Sequence, residues 1–192
     1  MSVSDQKASL RAKLLEKRIS ISHKDWTYRS RNIVEKLFGL DEFRSANVVH
    51  TYVSMNDRKE VDTHTMIKEL LDSEREVIVP ITDFKTGELD HASLKSFDEL
   101  KSNKWGVLEP NEPTTNNKAI DLILVPLLAA DKKFNRLGYG KGFYDRFLGS
   151  NNFLKVGLLF DEFILDEIPV EDFDEKLDIL ITEKRILQRN NR

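Results

Sequence analysis

Cysteine is absent from all 192 positions, which excludes a disulfide framework and any thiol nucleophile. No run of about 18 apolar residues occurs, so no segment reads as a membrane-spanning helix. An excess of one charge is also lacking. Thirty Lys and Arg stand against 33 Asp and Glu, a net charge of −3, which removes the electrostatic case for nucleic acid or an anionic membrane as a partner. The amino-terminal stretch Met1 to Leu10 is polar and has no apolar signal-peptide core, so the expected location is cytoplasmic. What remains is an ordinary globular composition, 40% apolar and 33% charged, at a length that suits one domain spanning 1–192.

Hydrophobic spacing divides the chain into alternating elements. Ser4 to Arg18 reads as an amphipathic helix with Leu10 and Leu14 inward. A second helix starts at Ser22 and closes at Gly39, with Ile33, Val34, Leu37 and Phe38 at helical spacing. Asn47 to Val53 is β-branched and aromatic and predicts a strand, followed by a polar loop from Ser54 to Glu60. Asp62 is expected to cap a helix that runs to about Arg75. Glu76 to Ile81 predicts a second strand, with a turn at Lys85-Thr86-Gly87 and an antiparallel partner from Glu88 to Lys95. Trp105 to Pro113 reads as irregular and Ile120 to Val125 as a strand buried on both faces. A long loop from Pro126 to Gly140, a helix to Leu148, and strands at Leu154 to Phe160 and Leu177 to Thr182 complete the pattern. Strands separated by helices imply an α/β sandwich on a mainly parallel sheet.

Of eight glycines, three fall within five residues, Gly138-Tyr139-Gly140-Lys141-Gly142, after a buried strand and before a helix. Glycines let backbone N–H groups approach an anion closely, and Arg136 and Lys141 add full positive charge, so this segment reads as a phosphate cradle. It is neither a P-loop, which needs Ser or Thr after the lysine, nor a dinucleotide fingerprint, which needs glycine where Phe143 stands. The competing reading is a turn carrying an exposed Lys141–Asp145 ion pair. His23, His50, His64 and His91 have no metal-ligand spacing, and His50 reads as a buried structural residue.

The run from Asn135 to Leu148, NRLGYGKGFYDRFL, resembles the nucleotide-binding signature of the 5-formyltetrahydrofolate cyclo-ligase family. The resemblance extends over nearly the whole chain, through Lys7-Ala8-Ser9-Leu10-Arg11, Glu60-Val61-Asp62-Thr63, Trp105-Gly106, Glu109-Pro110, Asp121 to Asp131, Val156 to Asp161, Ile168-Pro169-Val170, and Asp174 to Thr182. It implies a Rossmann-like three-layer fold and a monomer acting on two small molecules, ATP and 5-formyltetrahydrofolate, with Mg²⁺. By the same resemblance, Lys7, Arg11, Arg136, Gly138, Tyr139, Gly140, Lys141 and Gly142 contact ATP, with Lys141 and Arg136 neutralising charge at the transferred phosphoryl group. Asp145 and Asp174 match metal-binding positions, and Val53, Glu60, Trp105 and Tyr144 match the folate pocket. This sequence departs from the family's pattern in two places. The loop before Glu60 is longer than usual, and Tyr139 stands where arginine is common. The alternatives are a related enzyme with another substrate, or a non-catalytic folate- or nucleotide-binding regulator.

Overall fold

Alternating helices and strands build a mainly parallel sheet flanked by helices, as the hydrophobic pattern predicts. The computed structural model describes residues 2–73, 75–83, 85–114, 119–149 and 153–190. The chain opens with helices α1 (Val3–Ile19), α2 (His23–Phe38) and α3 (Asp41–Ser45), then strand β1 (Val48–Thr51). Helix α4 (His64–Leu71) leads to β2 (Glu76–Thr82), which turns into β3 (Leu89–Leu94). A small hairpin, β4 (Lys101–Ser102) with β5 (Leu108–Glu109), precedes β6 (Leu122–Val125). Then come β7 (Ala129–Asp131), β8 (Arg136–Leu137), helix α5 (Phe143–Gly149), β9 (Leu154–Leu158), β10 (Ile164–Leu165), β11 (Ile179–Ile181) and β12 (Ile186–Gln188).

Among the described residues the main sheet has seven strands in the order β12-β11-β9-β6-β1-β2-β3, antiparallel only at its two edge strands. All four residues of β6 and all four of β1 are buried, as expected where both faces of a parallel sheet are covered. From β1 the chain moves outward to β2 and β3, then returns to β6 on the other side of β1. The loops leaving β1 and β6 therefore diverge, and a crevice opens beyond the carboxyl ends of these two strands.

Local chemistry sets the helix ends. The Ser2 hydroxyl accepts from the Asp5 N–H while the Asp5 carboxylate accepts from the Ser2 N–H, each at 3.1 Å, and Ser22 accepts from the Asp25 N–H in the same way. Asp62 accepts from the His64 N–H at 3.0 Å, at the start of α4. In α2 the buried residues Trp26, Ser30, Ile33 and Leu37 lie on one helical stripe. The buried stripe of α1 differs in kind: besides Leu14 it contains Lys7 and Arg18, each 4% exposed.

Three expectations from sequence change. The segment from Pro126 to Gly140 is not a plain loop, since β7 and β8 pair antiparallel and β10 joins them as a three-stranded sheet. A buried carboxylate organises that turn: Asp131 accepts from the N–H groups of Lys133, Asn135 and Ile168 and from the Asn135 side chain, at 2.9–3.1 Å. Four donors compensate its removal from water and set the position of Arg136. The helix after Asp62 stops at Leu71 rather than near Arg75, with Asp72 as its C-cap, and the Arg75 guanidinium beyond it bonds the carbonyls of Phe43 and Arg44. Trp105 lies within the β4–β5 hairpin connection, not in an irregular stretch alone, and the late edge strand β12 adds to the expected set. No helix among the described residues is long and apolar enough to cross a membrane.

His50 is fully buried in β1, with its Nε2 3.2 Å from Nδ1 of half-buried His91 on β3. The rings of Phe147 and Tyr144 from α5 pack beside it. Burial, with a contribution from His91, pushes the His50 imidazole down from 6.5 to about 3. An unfolded chain therefore binds a proton between these values that the folded chain does not. Stability from this group is complete above pH 6.5 and is lost as the pH falls toward 3. Urea unfolding between pH 6 and 4 should show a slope about 1.4 kcal/mol per pH unit steeper in the natural protein than in His50→Gln. Equal slopes would contradict a neutral buried His50.

Candidate active site

The glycine loop spans from β8 to α5 and lies beside the crevice between β1 and β6. Among the described residues, the N–H groups of Gly138, Tyr139, Gly140, Lys141 and Gly142 find no acceptor within the chain. Gly140 and Gly142 have φ of +89° and +71°, a conformation side chains rarely tolerate. Successive unpaired backbone donors form a concavity suited to an anion. Together with α1, the loop after β1 and the β4–β5 hairpin, the glycine loop encloses a cleft of about 490 Å³. Arg11, Arg58, Arg136 and Lys141 line it against one carboxylate, Asp145. This charge balance favours a polyanionic ligand.

Each sequence-assigned residue has a definite place. Arg11 donates through Nε to the Gly138 carbonyl at 2.9 Å, tying α1 to the loop. Lys141 is exposed in the cleft and forms no pair with Asp145. Asp145 instead accepts from the buried Arg136 at 2.5 Å, so the competing ion-pair reading of the loop does not hold. Trp105 is 54% exposed and faces the cleft from the hairpin, consistent with a ligand-facing residue and not with core. Tyr144 also lines the cleft, and its buried hydroxyl has no hydrogen-bond partner among the described residues.

Four of the assigned residues lie outside the cleft lining: Lys7, Val53, Glu60 and Asp174. Lys7 is buried between Glu171 and Asp174, at 2.7 and 2.5 Å, so its charge is already matched in this state. Val53 is buried two residues beyond the end of β1. Glu60, 5% exposed, lies behind Tyr139. One Glu60 oxygen accepts from the Met55 N–H at 2.6 Å, and the other accepts from the Tyr139 hydroxyl. That hydroxyl in turn accepts from Arg18 at 2.5 Å. Burial, reinforced by Glu60, pushes the Tyr139 and Tyr144 phenols far up, so both stay protonated donors at any physiological pH.

The sequence reading missed Arg18 and Arg58. Arg18 donates to the carbonyls of Arg58 and Leu127, at 2.9 and 3.1 Å, besides Tyr139, and thereby joins α1 to three loops of the site. A signal for it was present: Lys7, Arg11, Leu14 and Arg18 follow one another at i, i+4, i+7 and i+11, a single helical stripe. Arg58 lies with its guanidinium over the Tyr139 ring, 5.8 Å from the centroid. No motif marks it.

Asp145 and Asp174 each commit one carboxylate oxygen to a cation, and the Glu175 N–H, next to Asp174 in the chain, reaches Asp145 at 3.4 Å. Among the described residues there is no group of three metal-ligating side chains. Asp145 lines the cleft and Asp174 lies outside it; by donor type such a carboxylate pair would suit Mg²⁺, which usually takes its remaining ligands from water and phosphate.

The sequence profile of the 5-formyltetrahydrofolate cyclo-ligase family matches residues 3–183. A 5-formyltetrahydrofolate cyclo-ligase of mouse is 29% identical, over 95% of this chain and 96% of its own length. One from Haemophilus influenzae is 31% identical, over 79% and 84%. The NMR structure of 5,10-methenyltetrahydrofolate synthetase from Aquifex aeolicus superimposes with a TM-score of 0.84 at 33% identity, covering 97% of this chain and 94% of that one.

An unpartnered buried hydroxyl weakens the unliganded protein, so removing it should help. Tyr144→Phe is expected to raise unfolding free energy by about 1 kcal/mol in urea titration. A loss of similar size would show that the hydroxyl is already satisfied.

Proposed function

Because the chain belongs to the 5-formyltetrahydrofolate cyclo-ligase family, we propose that it closes 5-formyltetrahydrofolate to 5,10-methenyltetrahydrofolate while converting ATP to ADP and phosphate. The observation that carries the reading beyond family membership is the cleft itself, in which five backbone N–H groups without an acceptor among the described residues meet four cations at the sheet's switch point.

The chemical problem is a formamide, whose carbon is a poor electrophile because nitrogen donates into the carbonyl. Transfer of the γ-phosphoryl group of ATP to the formyl oxygen gives an iminium phosphate, with ADP as the leaving group. The substrate's second nitrogen then attacks that carbon and loses its proton. The C–O bond breaks, and phosphate departs carrying the formyl oxygen. Such a transfer needs mainly alignment and charge neutralisation.

On this reading the glycine loop N–H groups hold the phosphates, and Lys141, exposed and unpaired in the cleft, neutralises the transferring group. Arg136 supports it from below while orienting Asp145. Arg11 fastens the loop and faces the nucleotide, and Lys7 joins it when Asp174 turns to the metal. Asp145 and Asp174 would hold Mg²⁺, which when bound screens the phosphate charge. At the folate end, the Tyr139 hydroxyl yields its Glu60 oxygen to the donor-rich pterin edge. Tyr144 supplies its unpartnered hydroxyl and Trp105 contributes apolar surface, while Val53 packs in the core behind the pocket wall.

Purified protein should form the near-ultraviolet chromophore of the methenyl product from 5-formyltetrahydrofolate only with Mg-ATP, one ADP per product. Lys141→Ala should lower turnover about 10²-fold with unchanged unfolding, since an exposed loop lysine contributes little to the core. No chromophore from the folded natural protein would reject the activity, and full turnover by Lys141→Ala would move the catalytic cation to another residue.

A further inference from the structure

Arg146 lies in α5 outside the cleft lining, yet its contacts converge on the glycine loop. Its Nε and Nη2 both donate to the Gly87 carbonyl, the former at 2.9 Å, in the connection between β2 and β3. Nη2 also donates to the Lys141 carbonyl at 3.2 Å. The guanidinium is boxed between two bare glycine faces. A Cβ on Gly142 would lie 2.8 Å from Nη1, and a Cβ on Gly87, whose φ is +77°, would lie 3.0 Å from Nη2.

A planar trans peptide points its C=O and N–H in opposite directions. Gly142 lines the cleft and Arg146 does not, so drawing the Lys141 carbonyl toward Arg146 turns the Gly142 N–H into the cleft. That N–H has no acceptor among the described residues. We propose that Arg146 is a positioning residue that presents the Gly142 N–H to a phosphate oxygen, and that the β2–β3 connection, through Gly87, is its anchor. This rests on the reading that the glycine loop holds the phosphates of ATP.

The anchor makes a remote residue part of the nucleotide site. Binding of Mg-ATP and of 5-formyltetrahydrofolate, measured separately by calorimetry, tests it in Arg146→Ala, Arg146→Lys, Gly87→Ala and the double variant Arg146→Ala with Gly87→Ala. Arg146→Ala should weaken Mg-ATP about tenfold, the scale of one hydrogen bond to a charged group, and leave folate affinity unchanged. Lysine should not rescue it, because a single ammonium cannot reproduce the fork that reaches both carbonyls. Gly87→Ala should weaken Mg-ATP in the same direction and add nothing in the Arg146→Ala background.

Natural-protein ATP affinity in Arg146→Ala, full rescue by lysine, or an equal loss of folate affinity would each overturn the positioning role. Additive losses from the two sites would overturn the anchor. If Gly87→Ala proves unfolded, the alanine and lysine variants of Arg146 still decide the first claim. If the natural protein binds no Mg-ATP, the failure lies in the reading of the loop, and this inference falls with it.

Discussion

Removing a cation from water costs several kcal/mol unless partners replace the lost hydration, and α1 buries two of them. Lys7 satisfies its charge on the acidic segment before β11, through Glu171 and Asp174. Arg18 satisfies its own on the loop after β1, the loop after β6 and the glycine loop. Half-buried Arg11, between them on the same stripe, takes the Gly138 carbonyl. Every segment that builds the cleft wall near α1 is thus fixed by the need to complete these cations. An apolar stripe would bind α1 as firmly but without selecting which loops meet it, or in what orientation.

The same requirement creates the site's chemistry. Arg18 and Glu60 are opposite charges buried on either side of one phenol, and Tyr139 joins them by accepting from the first and donating to the second. The arrangement keeps a carboxylate behind the cleft wall, with the neutral Tyr139 side chain between it and the cleft. On the far side, Arg136 is held by Asp145 and placed by the Asp131 turn, while Lys141 has no carboxylate partner among the described residues. A cleft with its cations partly spent on architecture and partly free suits a ligand that brings its own negative charge.

Much of this was legible in the residues. The buried strand Leu122–Val125, the glycine run and the helix after it follow from pattern alone, because two-sided burial and turn chemistry are local properties. The β7–β8–β10 sheet was not legible, since strands of two or three residues have no periodicity, and their cause is one aspartate meeting donors as distant as Ile168. Arg18 escaped because a charged residue on an amphipathic helix is usually solvated, and the partners that reverse that rule come from loops 40 to 121 residues away. The folate side was read with Glu60 open to ligand, and the structure places Tyr139 across it.

The central claim is that phosphoryl transfer and ring closure occur in one cleft, with the formyl oxygen as the phosphoryl acceptor. Folate labelled with ¹⁸O in its formyl group, turned over with unlabelled Mg-ATP in ordinary water, tests it most directly. The account predicts one ¹⁸O in each inorganic phosphate released, detected by the isotope shift of the phosphorus resonance. Unlabelled phosphate alongside methenyl product would contradict it, since the oxygen would then have left by another route.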